Sequence, residues 1–186
     1  MGRTRRQVTR RQRAAPAFFL AGALSGAALT GLTAWIASVV VNGFPMALRL
    51  SAWIALVTAA FLTEFRLIET EFPQNRRQVP REVFRPGILR AASRFGFEMG
   101  TGLLTYLPSP APHVLAATVV LFSGDIRSAG AAALGFGLSR GIVPALRWIS
   151  GDSGVWEMRL AKRVRVLAMT CLAGVVGVSA ALIHVG

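Results

Sequence analysis

The sequence predicts an all-α fold, a polytopic membrane helix bundle of about five transmembrane helices with the third broken by prolines. Three observations carry this expectation. The 186 residues are 53% hydrophobic, with mean hydropathy +0.52. The apolar residues fall into runs of about 20, the length that crosses a hydrocarbon core of ~30 Å. The basic residues cluster beside those runs, where orientation in a membrane accounts for them. The net charge of +13 therefore does not imply a nucleic-acid partner, although charge alone would invite one. No stretch between the runs reaches the ~50 residues of a separate soluble domain, so residues 1–186 read as a single integral membrane domain.

The elements follow in order. Residues 1–15 form a basic tail, with six arginines and no acid in the first thirteen positions. The apolar run 16–42 is longer than the ~7–15 residues of a signal-peptide core and reads as an uncleaved anchor. Gly43–Pro45 makes a tight turn, and a second span covers 46–65. Residues 66–90 are polar, carry Glu69, Glu71, Arg76, Arg77, Arg81, Glu82 and Arg85, and are interrupted by Pro73, Pro80 and Pro86. They make either a solvated loop or a partner-docking surface. The third apolar region, 91–122, is one long span broken at 108–112 or two segments short for spanning. Ser123–Ser128 is a polar turn, 129–149 a fourth span, 150–165 a basic loop and 166–185 a fifth span.

Charge distribution decides between the two readings of 91–122. One broken span leaves the tail and the loops 66–90 and 150–165 on the cytoplasmic side. Two spans would carry Arg147, Arg159, Lys162, Arg163 and Arg165 across, against the positive-inside tendency. The sequence thus predicts a multi-pass protein of the cell membrane, in contact with membrane lipids, with its N-terminus cytoplasmic and its C-terminus outside.

Small residues recur at four-residue spacing: Gly22 and Gly26, Gly96 and Gly100, Gly137 and Gly141, then Ala173, Gly177 and Ala181. Such stripes let helix backbones approach in lipid, within one bundle or between copies. Five spans in so short a chain make a lean bundle, so a homo-oligomer or a complex with other membrane subunits is expected. Trp35, Trp53, Trp148 and Trp156 lie mostly near span ends, as interfacial anchors do. Cys171, the sole cysteine, is expected to pack like a small buried apolar residue.

The candidate site is the run from Glu98 to His113. Pro108, Pro110 and Pro112 cannot continue a helix through their own positions, and broken backbone at membrane depth needs protein or a cavity to satisfy it. The freed backbone groups, with the hydroxyls of Thr101, Thr105, Tyr106 and Ser109, could hold a solute or ion. Glu98 is a costly carboxylate at this depth. It is either a titrating proton- or cation-binding group or half of a structural ion pair, with Arg140 from another span or with Arg94 on its own. Arg140 could instead attract an anionic group or snorkel to the interface. His113 has no neighbours at ligand spacing, so no metal is expected, and a proton-sensing role stays open. No P-loop, HExxH or Gly-x-Ser-x-Gly motif occurs. No enzyme activity and no cofactor are expected, and any transport would be secondary, channel-like or driven by a separate ATPase.

From Gly96 to Trp148 the pattern resembles the second half of the CcdA/DsbD transmembrane family, within the LysE-like exporter superfamily. The residues that carry the resemblance are Gly100-Thr-Gly-Leu-Leu-Thr-Tyr-Leu-Pro-Ser-Pro-Ala-Pro-His-Val-Leu and Leu134-Gly-Phe-Gly-Leu-Ser-Arg-Gly-Ile-Val-Pro144. The resemblance covers about 50 residues and implies a broken helix lining a cavity near the midplane. Ala111 stands where the redox members carry a cysteine, and dithiol exchange needs two thiols that can meet, so the redox activity does not carry over. The family has six spans in two inverted repeats, and this chain reads as five. The expectation is therefore a small membrane transporter or permease subunit, moving a small solute or ion past the proline-broken helix. The alternative is a non-transporting subunit that stabilises a larger membrane complex.

Overall fold

A computed structural model describes residues 10–68, 87–102, 104, 109–150, 163, 166–177 and 179. Among these residues the fold is all-α, with six helices and no strand. The helices are α1 (Arg10–Val41), α2 (Met46–Glu64), α3 (Ile88–Thr101), α4 (Ala111–Phe122) and α5 (Ile126–Ser150), followed by α6 (Val166–Gly177). Among the described residues α1 and α2 are long and apolar enough to cross a membrane, while α4 and α6 are apolar but shorter. At 25 residues α5 has the length, but it carries Arg127, Arg140 and Arg147.

Glycine builds a close contact between α1 and α3. A Cβ on Gly22 would stand 2.0 Å from the Ser93 carbonyl oxygen, and one on Gly96 2.0 Å from that of Phe19. Gly26 and Gly100 meet Phe97 and Ala23 in the same way. No larger residue fits these four positions at this separation, so the stripes read from the sequence act here as packing within one chain. Phe19 seals one edge of the seam with an edge-on contact to Phe95, centroids 5.6 Å apart. The meeting points advance together along both helices, Phe19 with Gly96, Ala23 with Gly100 and Thr30 with Thr101. The two helices therefore run parallel.

The other contacts fix the remaining directions. Gly31 meets Ala129 and Ala133, Gly137 meets Ala23 and Ala27, and Gly141 meets Leu20, so α5 runs antiparallel to α1. Arg49 reaches the Leu121 carbonyl and Trp53 reaches Thr118, so α2 runs antiparallel to α4. Asn42 donates to the Ser123 carbonyl at 3.2 Å, placing the end of α4 beside the end of α1. Consequently α3 and α4 follow one another along α1 in a single direction. Ala60, Ala111, Val114 and Leu172 form a buried cluster joining α2, α4 and α6. Ser179 meets Thr118, which sets α6 parallel to α4. The described helices thus run in five alternating passes, with α3 and α4 sharing the third.

Several expectations need correction. The third pass breaks earlier than 108–112: α3 ends at Thr101, and Gly102 caps it at φ +69°, a conformation that favours glycine. Pro110 precedes the first residue of α4, and Pro112 lies in its first turn, where the missing N–H costs nothing. Trp53 is no interfacial anchor, because it lies mid-helix and is buried. Cys171 is exposed, because the adjacent Leu172 takes the inward direction of α6. The predicted loops 66–90 and 150–165 fall largely outside the described residues.

Candidate functional site

The interruption of the third pass borders a cleft of about 130 Å³ between α1, α4 and α5. Thr101 and Gly102 from the end of α3 line it, with Pro112 and His113 from the start of α4. Ala27, Thr30, Gly31 and Ala34 come from α1, and Ala129, Ala132, Ala133 and Phe136 from α5. Leu115, Ala116 and Val119 complete the α4 wall. Gly102 owes its place to two constraints at once. Its backbone turns left-handed, and a Cβ there would press against the Phe136 ring at 3.1 Å.

The two hydroxyls among the described lining residues are committed to backbone. Thr30 Oγ1 shares its proton between the Gly26 carbonyl at 3.2 Å and the Thr101 carbonyl at 3.1 Å. The second of these bonds ties one of the last carbonyls of α3, which has no partner within its own helix, to α1. Thr101 Oγ1 donates to the Glu98 carbonyl at 2.8 Å. Where α4 starts, Ser109 Oγ accepts from the Ala111 N–H at 3.3 Å. The broken backbone is therefore partly satisfied from within the protein.

No protein-family model, curated protein or solved structure matches the chain. The site has to be understood from its own geometry.

That geometry separates residues the sequence grouped together. Thr101, Pro112 and His113 line the cleft, and Ser109 and Pro110 flank it at the start of α4. Glu98 and Arg140 are not part of the lining. Glu98 accepts from Arg94 Nε at 3.1 Å, in an i,i+4 pair whose arginine side chain is 67% exposed. Arg140 brings Nη2 to 3.5 Å from Met99 Sδ. Of the two partners expected for Glu98, Arg94 on its own helix is the one that pairs with it. Gly96, Gly100, Gly137 and Gly141 pack helices against one another and do not face the cleft. Thr105, Tyr106 and Pro108 lie outside the described residues. Among the described residues, no group of three or more His, Cys, Asp or Glu could hold a metal.

Two features were missed by reasoning from sequence. The first is the contribution of α1 and α5 to the cleft, whose only signal was a run of Ala and Gly in each. The second is a buried polar chain across α2, α4 and α6. Trp53 Nε1 donates to Thr118 Oγ1 at 3.0 Å, Thr118 Oγ1 lies 2.9 Å from Ser179 Oγ, and each hydroxyl also reaches a carbonyl one turn back. A tryptophan, a threonine and a serine in the middle of three apolar runs were the available signal.

Proposed function

We propose that the chain is a five-pass protein of the cell membrane, N-terminus cytoplasmic and C-terminus outside, which moves a small solute through the cleft at its interrupted third pass. The observation that carries this reading is the cleft itself, which borders both ends of a helix break. In membrane transporters such interruptions are where cargo binds. A CcdA-like scaffold without its thiols, assembled from this chain or with further subunits, belongs to the same proposal.

Two features support the membrane part of the reading. Large apolar side chains stand in the open along α1 and α2, among them Ile36, Val40 and Ile54, a pattern that lipid tolerates and water does not. Passes that alternate in direction bring the start of α1, the end of α2, the starts of α3 and α6 and the end of α5 to one end. Of the 21 Lys and Arg, only Arg49 and Arg127 belong to the opposite turns, which is the asymmetry that orients membrane proteins.

The test is thermal unfolding of the tagged protein in mild detergent against a panel of solutes, paired with native mass spectrometry. At least one solute should raise Tm by several degrees in the wild type and not in Ala132→Phe, which fills the cleft. A second reading, a non-transporting subunit of a larger complex, is favoured by the glycine faces of α5 and α6. No described atom comes within 4 Å of a Cβ at Gly130, Gly135, Gly174 or Gly177. Stoichiometric co-purification of other membrane proteins, with no solute shifting Tm, would decide for that reading.

A further inference from the structure

We infer that the cleft takes a hydrocarbon chain from the bilayer, entering sideways between α1 and α5, so that the substrate class of this site is a lipid. This rests on the membrane-bundle reading above and names the substrate for the same cleft.

The chemistry of the walls comes first. Among the described residues no Asp, Glu, Lys or Arg lines the cleft, and the hydroxyl protons of Thr30 and Thr101 are already given to carbonyls. A charge seated here would lose its hydration without compensation. Apart from His113, what remains is almost entirely methyl, methylene and ring surface. The volume of about 130 Å³ is close to that of an apolar protein cavity of ~150 Å³ that stays dry and admits benzene. It suits a stretch of several methylenes.

The second consideration is access. A further groove of about 260 Å³ lies against the same two helices and shares Gly31, Ala129 and Ala133 with the cleft. Its outer walls are Leu32, Ile126 and Leu134, all exposed. Among the described residues it is small side chains, at the Gly31 contact with Ala129 and Ala133, that border both the outer groove and the inner cleft. Gly31 lies ten residues before the end of α1 at Val41. At ~1.5 Å per residue that is about 15 Å along α1, while the facing Ala129 and Ala133 lie about 5 and 10 Å from the start of α5 at Ile126, so the contact falls in the outer half of a ~30 Å core. At this depth the medium at the mouth of the groove is acyl chain, so the occupant that reaches the cleft is hydrocarbon.

The experiment uses the full chain in phosphatidylcholine vesicles doped with a phosphatidylcholine that carries a diazirine at its terminal acyl carbon. After photolysis, adducts are mapped by mass spectrometry. The wild type should carry adducts on inner lining residues, Thr101 or Pro112–Ala116, as well as on Leu29 and Ile54, which are exposed. In Ala132→Phe and, independently, Ala116→Leu, inner labelling should fall about tenfold while Leu29 and Ile54 label as before, which also reports that each variant is folded. Labelling of Leu29 and Ile54 with none on the inner residues of the wild type would overturn the lipid occupant and leave the membrane reading standing. Inner labelling unchanged in both variants would overturn the cleft as its seat. No adduct on any helix would overturn the membrane reading itself.

Discussion

At the scale of single residues, two polar side chains illustrate how position decides weight. Glu98 drew attention as a carboxylate inside an apolar run, yet its partner is the exposed Arg94. Arginine precedes glutamate in that pair, the less favourable order on a helix, and Glu98 lies near the end of α3, where the helix dipole opposes a negative charge. Glu98→Gln should therefore change stability by no more than about 0.5 kcal/mol, read from thermal or denaturant unfolding. A loss of several kcal/mol would mean that the carboxylate has a role the Arg94 pair does not provide. Thr118 behaves oppositely. It is buried and accepts the indole N–H of Trp53, so Thr118→Val leaves that donor unmet. The expected cost is about 1–2 kcal/mol, and Thr118→Ser, which keeps the hydroxyl, should recover most of it. Of the candidate site, Thr101, Pro112 and His113 were legible because helix-breaking residues crowd that stretch. The α1 and α5 walls were not, because alanine and glycine lining a cleft look the same in sequence as alanine and glycine packing a seam.

The elements themselves were easier to anticipate than their pairing. The all-α class followed from apolar runs of helical length, and turn residues marked where α1 and α2 meet. What escaped was that the third pass stops at Gly102, since prolines announce a break more loudly than a left-handed glycine does. Which stripe meets which was also hidden, because Gly22, Gly96, Gly130 and Gly174 are equivalent in sequence. The structure separates them. Gly96→Ala puts a methyl 2.0 Å from the Phe19 carbonyl and should force α1 and α3 apart, at about 3 kcal/mol or more. Gly130→Ala meets nothing within 4 Å and should gain up to about 1 kcal/mol from helix propensity. Unfolding of the two variants side by side checks both. At the start of α5, Asp125 accepts the Ser128 N–H and hydroxyl, both at 2.7 Å. Those two bonds, helped by Arg127, hold its carboxyl below its ordinary value of 3.8. A lowered folded-state pKa stabilises above the unfolded value, and the contribution is lost as pH falls below 3.8 through the folded value. Asp125→Asn keeps a capping acceptor without the titration. The Tm difference between wild type and variant should therefore be flat from pH 7 to 5 and shrink below pH 4.

For the whole molecule, the alternating passes make a directional prediction. In a Cys171→Ala background, Gly124→Cys should react with a membrane-impermeant maleimide on intact cells, and Arg90→Cys only after permeabilisation. The reverse pattern would invert the proposed orientation, and equal reactivity on intact cells would remove the membrane between them. The parallel glycine seam between α1 and α3 has a further consequence, in the order of synthesis. The partner of α1 is not the helix that follows it: Gly26 waits for Phe97, seventy-one positions later in the chain. At ~5–20 residues per second the ribosome takes roughly 4–14 s to deliver it. Throughout that interval a nascent α1–α2 hairpin would carry an open glycine face with nothing of its own to close on. This is the window in which an insertase, a chaperone or a neighbouring nascent chain would find it, and the stage of biogenesis at which substitutions in the seam would first be felt.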